Sequence, residues 1–209
     1  MGRSTASICE GQSVVPVSAF IVSQPKAGTY LAVNILRELG FRFKRYHLSE
    51  KKYYRYPKPG DPAFRMALQD PRIVMSRATL DESIRKIGTT DEIGVGHLAY
   101  TPFNEQCLRP YKKILLTRPE KEILESVQRW EQYTGRPPSN PGNIKHRCRA
   151  VQNWRLQPDV FHMTFADMRE CNVARIDQLQ EFLGVARQDS RTVVKRALAA
   201  PSKTKIPNG

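Results

Sequence analysis

The chain is expected to adopt an α/β fold with a mostly parallel central sheet, and three observations lead there. Short apolar runs bounded by turn residues recur at 18–23 (SAFIVS), 92–98 (EIGVGHL), 113–118 (KILLTR) and 160–165 (VFHMTF). Stretches of helical periodicity separate them, which is the spacing of strand–helix–strand units. At 209 residues with 40% apolar content, the length fits one domain with a substantial core. We therefore expect a single domain over 1–209, with 1–16 and 201–209 as flexible tails.

Taken in order, the first strand breaks at Gln24-Pro25, and a short loop leads into a helix over 30–39 with Leu31, Ile35, Leu36 and Leu39 on one face and Gly40 as its stop signal. Residues 41–59 (FRFKRYHLSEKKYYRYPKP) interleave basic and aromatic side chains. Phe41 and Phe43 alternate as a strand would bury them, and the remainder reads as a solvated basic loop; an acidic-substrate lip and a nucleic-acid surface are the other readings. A second buried strand is predicted at 72–76 (RIVMS), then a short helix over 80–87 opened by Thr79 or Asp81. The 113–118 run ends at Pro119, which suits a first helical turn, and Glu120 and Glu122 complement that helix's positive end. The helix runs to about 132, a proline-rich surface loop covers 135–142, and 143–157 is helical with Val151, Trp154 and Leu156 available for packing. Helices over 176–183, stopped by Gly184, and over 190–200 complete the chain.

The formal net charge of +14 calls for anionic partners: nucleotides, sulfated or phosphorylated substrates, nucleic acid or an anionic membrane surface. No apolar run reaches the roughly 18 residues of a membrane span, and the N-terminal MGRSTASICEGQS has neither a signal-peptide core nor a myristoylation pattern. Four scattered cysteines, Cys9, Cys107, Cys148 and Cys171, lack metal-ligand spacing and read as reduced thiols, so a cytoplasmic protein without a metal is expected.

In a parallel sheet ligands collect at the carboxyl ends of the strands. Those ends carry Lys26, His97, Arg118 and Phe165: two cations, a titratable base and an aromatic plate. Lys26-Ala27-Gly28-Thr29 lies where a strand meets a helix N-terminus, whose free N–H groups and dipole favour an anion. It is not a Walker A loop, because Lys26 precedes the only glycine and the loop is too short for a triphosphate. Arg118 and Ser126, eight residues apart, can present a guanidinium fork and a hydroxyl to one phosphate. His47, His146 and His162 have weaker claims than His97, lying in the basic loop, in a polar helix and inside a strand.

P-K-A-G-T resembles the 5′-phosphosulfate loop (P-K-S-G-T-T-W) of sulfotransferases that use 3′-phosphoadenosine 5′-phosphosulfate (PAPS). ILLTRPEKEILESVQRW resembles that family's 3′-phosphate segment, V-x-R-N-P-x-D-x-x-x-S. EIGVGHLAYTPF resembles the segment bearing the catalytic histidine, and VFHMTFADMRECNVARIDQLQEFLGV the family's L-x-Y-E-D-M…F-L-G block. The resemblance covers about 19–185 and implies a P-loop-like three-layer sandwich that transfers a sulfuryl group from PAPS to a hydroxyl or amine without a metal. It implies Lys26 as the cation on the leaving phosphate, the amides of Ala27, Gly28, Thr29 and Tyr30 around the 5′ side, and Arg118 with Ser126 on the 3′-phosphate. Phe165 would line the adenine site, and His97 would be the general base.

The chain departs from that pattern where Ala27 replaces the loop serine, where Leu31 replaces the adenine-stacking Trp and where Val95 replaces a lysine two before the histidine. The closing R-K-G segment is missing, with Lys203 and Lys205 as substitutes. The implied acceptor is a small molecule, glycan or lipid, with an acidic one favoured by the charge. A P-loop-like kinase would need a Mg²⁺-binding carboxylate at a strand exit, and a non-catalytic nucleic-acid binder would be centred on 41–59 and indifferent to Lys26.

Overall fold

The computed structural model describes residues 18–58, 61–87 and 91–200. Strand β1 (Ser18–Ser23) has no charged side chain and is buried at every position; it feeds helix α1 (Thr29–Glu38). Next come a hairpin of β2 (Tyr46–Ser49) and β3 (Lys52–Arg55), helix α2 (Pro62–Gln69), a 3₁₀ turn (Pro71–Val74) and the short β4 (Met75–Arg77). Helix α3 (Leu80–Ile87), β5 (Ile93–Gly96), α4 (Pro102–Leu108), β6 (Tyr111–Thr117) and α5 (Glu120–Thr134) follow. The chain continues with α6 (Pro141–Gln152), a 3₁₀ turn (Asn153–Leu156), β7 (Val160–Thr164), α7 (Phe165–Arg169), α8 (Val173–Leu183) and α9 (Ser190–Ala199).

The strands form one seven-stranded sheet in the order β4-β3-β2-β5-β1-β6-β7. From β2 to β7 all neighbours are parallel, while β3 and β4 add an antiparallel margin. Helices cover both faces, so the expected α/β three-layer sandwich with a mostly parallel sheet is what the chain adopts. The two-residue period of β1 separates the layers. Ala19 and Ile21 join a core with Ile35 and Leu36 of α1, Ile176 and Leu179 of α8 and Val193 of α9. Phe20 and Val22 join Ile84 of α3, Leu108 of α4 and Val151 and Trp154 on the opposite face. Trp154 is fully buried, and its indole N–H donates to the Leu98 carbonyl at 3.0 Å, fixing the segment just after His97.

Several expectations are corrected. The 72–76 run is no buried strand: it is a 3₁₀ turn leading into an exposed antiparallel edge, with Ile73 54% exposed. Phe41 is buried, but no strand forms around it and Phe43; Arg42 makes only an isolated bridge to Glu92. The basic loop within 41–59 is instead the β2–β3 hairpin, because Tyr46, His47, Tyr53 and Tyr54 pair across it. The long helix over 143–157 begins two residues earlier, at Pro141, and tightens into 3₁₀ geometry after Gln152. Helices α2 and α4 were unanticipated, although each opens with a proline at its first turn after a side-chain cap, Asp61 and Thr101. Phe165 opens α7, whose capping box joins Thr164 and Asp167. Residues 1–16 and 201–209, with Cys9, Lys203 and Lys205, lie outside the described residues. No helix among the described residues is long and apolar enough to cross a membrane.

Gly94 of β5 pairs in register with Phe20, and a Cβ at Gly94 would overlap the Phe20 ring. Gly94→Ala is expected to lower stability by about 1–3 kcal/mol through overpacking, read by urea denaturation. Adding Phe20→Leu should recover part of that loss.

Candidate active site

The sheet order sets the site. Along the carboxyl edge the exits follow one another as Phe165 (after β7), Arg118 (after β6), Lys26 (after β1) and His97 (after β5), with His47 on β2 beyond. All five line one cavity of about 1000 Å³, with Gly28, Thr29, Tyr30 and Ser126 among its other walls. Among the described residues five cationic side chains (Lys26, Lys52, Arg118, Arg136, Arg147) face it against one carboxylate, Glu131. An anion-attracting field follows.

The loop after β1 is a tight reversal. Lys26 (φ 58°) and Gly28 (φ 91°) both take left-handed backbone, which a lysine adopts only when its surroundings enforce it. Gly28 is required twice over, since a Cβ there would also overlap the Phe165 ring. The Ala27 methyl is fully buried, and its amide closes a turn on the Gln24 carbonyl at 3.2 Å. Ala27 therefore contributes its N–H to the turn, and the first-turn amides after it, from Gly28 onward, lie ahead of the helical ladder. Thr29 is buried, its hydroxyl 2.9 Å from that of Ser23.

The Lys26 ammonium sits 3.6 Å from the centroid of the Trp130 ring, a cation–π contact. Burial there, aided by the Arg136 charge and opposed by Glu131, brings the Lys26 pKa down to about 7. Arg136 is itself pinned, donating to the Leu68 and Gln69 carbonyls at the end of α2. Glu131 is fixed by the Ser139 N–H at 2.9 Å.

Arg118 is held on three sides. Its backbone N–H donates to the Gln24 side-chain oxygen (3.0 Å), its Nε to Glu122 (2.8 Å) and its Nη1 to the Lys26 carbonyl (3.3 Å). Its guanidinium lies over the Phe165 ring at 4.2 Å. Phe165 thus carries Arg118 as well as lining the cavity. Ser126, two turns into α5, faces the same space, and so does Leu31, whereas Val95 is buried among the apolar side chains under α1.

His97 Nδ1 lies 2.7 Å from the Ser23 carbonyl oxygen and 3.1 Å from the Ser23 hydroxyl. A carbonyl only accepts, so the proton belongs on Nδ1 and the basic lone pair on Nε2. His47 joins it in lining the cavity, its Nε2 2.6 Å from the Tyr30 hydroxyl. His162 is bonded instead to Thr117 (2.7 Å), and His146 is exposed on α6. Burial pushes the Tyr30 hydroxyl well above its ordinary pKa and that of Tyr56 to about 12. Among the described residues no three His, Cys, Asp or Glu side chains gather as a metal site.

The basic and aromatic 41–59 stretch, for which a substrate lip was one reading, does line the cavity through His47, Lys52, Tyr54 and Tyr56, whereas Trp130, Glu131, Arg136 and Arg147 were not anticipated from sequence. Only Trp130 left a trace: it stands four residues after Ser126, on the same face of α5.

No family model matches the sequence, and no curated protein matches it. Solved structures do, at the level of fold. The mouse sulfotransferase SULT7A1 complexed with PAP superposes with a TM-score of 0.59 at 13% identity, over 91% of this chain and 69% of that one. Retinol dehydratase in complex with androsterone and the inactive cofactor PAP gives 0.54 at 12% identity, over 86% of this chain and 64% of that one. The fold is therefore sulfotransferase-like.

Lys26 titrates in the folded state near 7 and in the unfolded chain near its ordinary 10.5. Between those values the unfolded chain binds the extra proton, so this residue's contribution to stability rises with pH. Lys26→Met should stabilise the protein most below pH 7, and the gain over wild type should shrink towards zero by about pH 10.5. Thermal melts of both proteins across pH 6–10.5 test this; a pH-independent difference contradicts it.

Proposed function

We propose that the protein is a sulfotransferase that moves a sulfuryl group from PAPS to a hydroxyl or amine of an acceptor. One observation carries the reading: Lys26 and Arg118, on neighbouring strand exits, line a single cavity and are tied by the Arg118–Lys26 carbonyl contact of 3.3 Å. The residues present fit a doubly phosphorylated nucleotide. The Lys26 ammonium, a helix N-terminus with its amides ahead of the ladder, and a guanidinium braced by Glu122 and Phe165 supply separate grips for separate anionic groups. Both superposed structures contain PAP.

The donor supplies the sulfuryl group: as the acceptor oxygen or nitrogen bonds to sulfur, the S–O bond to the 5′-phosphate breaks and its electron pair leaves with PAP. In this reading Lys26, with the amides of Gly28, Thr29 and Tyr30, holds the charge that grows on the departing phosphate. Such preorganised donors act on the transition state more than on the ground state. Ala27 serves by closing the turn that aims them. Arg118 and Ser126 hold the 3′-phosphate, and Phe165 positions both Arg118 and the nucleotide. His97 takes the acceptor proton on Nε2, with Ser23 fixing its tautomer and ring plane.

The order along the sheet edge supports this division of roles: anion grips on β6 and β1, the base on β5, and open cavity beyond. Adenosine 3′,5′-bisphosphate should raise the melting temperature well above the effect of AMP at equal concentration. Arg118→Ala should abolish that difference, and equal protection by the two nucleotides of the wild type would overturn the 3′-phosphate assignment. With an acceptor in hand, His97→Ala and Lys26→Ala should each lower kcat by about 10²-fold or more with far-UV circular dichroism unchanged.

A further inference from the structure

Past His97 the cavity extends over the β2–β3 hairpin, a part that the nucleotide grips leave unused. Its wall there is aromatic and cationic. Tyr30 stacks on His47 (5.4 Å between centroids), His47 meets Tyr56 edge to face (5.3 Å) and Tyr54 stacks on Tyr56 (6.2 Å). Lys52 lies 5.6 Å from the Tyr54 ring, and Arg136 also lines the cavity, near enough for its charge to act on Tyr56.

Resting on the sulfotransferase reading, we propose that this wall is the acceptor site and that the acceptor is an acidic saccharide, a sugar bearing a carboxylate or sulfate. Each ring joins a flat apolar face to a polar end, which matches a pyranose: its C–H face lies on the ring while its hydroxyls reach phenol or imidazole. A flat apolar acceptor fits poorly. Among the described residues, the aliphatic side chains that β2, β3 and α2 contribute to the lining are Leu48 and Leu68, and a steroid there would desolvate hydroxyls and cations without replacing their partners. Retinol dehydratase binds androsterone, whereas this wall has a different character.

The charge balance supplies the acidic part. Among the described residues Lys52 and Arg136 line the cavity with Lys26 against the carboxylate of Glu131, and an anionic group there would offset the Arg136 charge that, after burial, holds the Lys26 pKa down. The Tyr30 hydroxyl, 2.6 Å from His47 Nε2, ties that ring into the wall, and the hydroxyl of Tyr56, shifted upward by burial, stays protonated at neutral pH, able to hydrogen-bond sugar oxygens.

The test is calorimetric titration of the full chain, with and without adenosine 3′,5′-bisphosphate. The probes are a glucuronate–N-acetylgalactosamine disaccharide, galactose 6-sulfate, lactose and androsterone. We expect at least one acidic sugar to bind at least tenfold tighter than lactose and androsterone, and Lys52→Gln and Tyr54→Leu each to weaken it tenfold while bisphosphate affinity is unchanged. Equal or tighter binding of lactose or androsterone, loss of all acidic-sugar binding by the wild type, or wild-type affinity in both variants would overturn the proposal. Failure of the bisphosphate to bind would sink the donor assignment instead, and the titrations without nucleotide would still decide the saccharide site.

Discussion

The site depends on a buried polar knot at the end of β1. Ser23 and Gln24 are almost wholly removed from solvent, at 0% and 1% exposure, so their side chains must find partners inside the protein. Ser23 binds Thr29 of α1 and His97 after β5; Gln24 accepts from the Arg118 N–H and donates to the Cys148 carbonyl of α6 at 3.2 Å. Two adjacent residues therefore locate a helix start, a histidine and an arginine that come from three separate parts of the chain. The placement of these side chains rests on the hydrogen-bonding capacity of a buried amide and a buried hydroxyl.

Around that knot the protein concentrates positive charge beyond what surface pairing neutralises. Glu122 and Glu131 temper it locally, the first on Arg118 and the second near Lys26, but neither cancels the excess in the cavity. Placing the Lys26 ammonium on the Trp130 ring substitutes aromatic π-density for water. That arrangement holds the side chain in one place while leaving its proton weakly bound. A lysine so placed gains more from an incoming anion than an exposed one would, because desolvation has already been imposed by the fold.

The parts read correctly from sequence are those whose physics is local. SAFIVS and KILLTR became the central strands because consecutive apolar residues suit a strand covered on both faces; Lys26 and Arg118 then follow from where those strands stop, and His97 from the end of β5. The hairpin defied the same logic. Its tyrosines and lysines are only half-buried, and their pairing depends on β5 offering an edge. The 72–76 run failed for the opposite reason: Ile73 and Val74 look like core, but Pro71 and the Asp70 cap, which accepts from the Arg72 N–H, bend the backbone into a 3₁₀ turn on the surface. Trp130, Arg136 and Arg147 reach the cavity from α5, the loop after it and α6, a convergence that no spacing rule encodes.

The ribbon of β2, β3 and β4 joins β5 through one pair in strand register, Leu48 with Gly96, and the isolated Arg42–Glu92 bridge, whereas β1 and β6 share six pairs. Mechanically, the outer ribbon is a lightly stitched panel on a rigid frame. Its opening free energy falls at the low end of the range within one fold, and insertions or exchanges of side chains there strain few backbone bonds elsewhere. Divergence of the chain can therefore concentrate in this ribbon, while the frame that positions His97, Lys26 and Arg118 remains untouched.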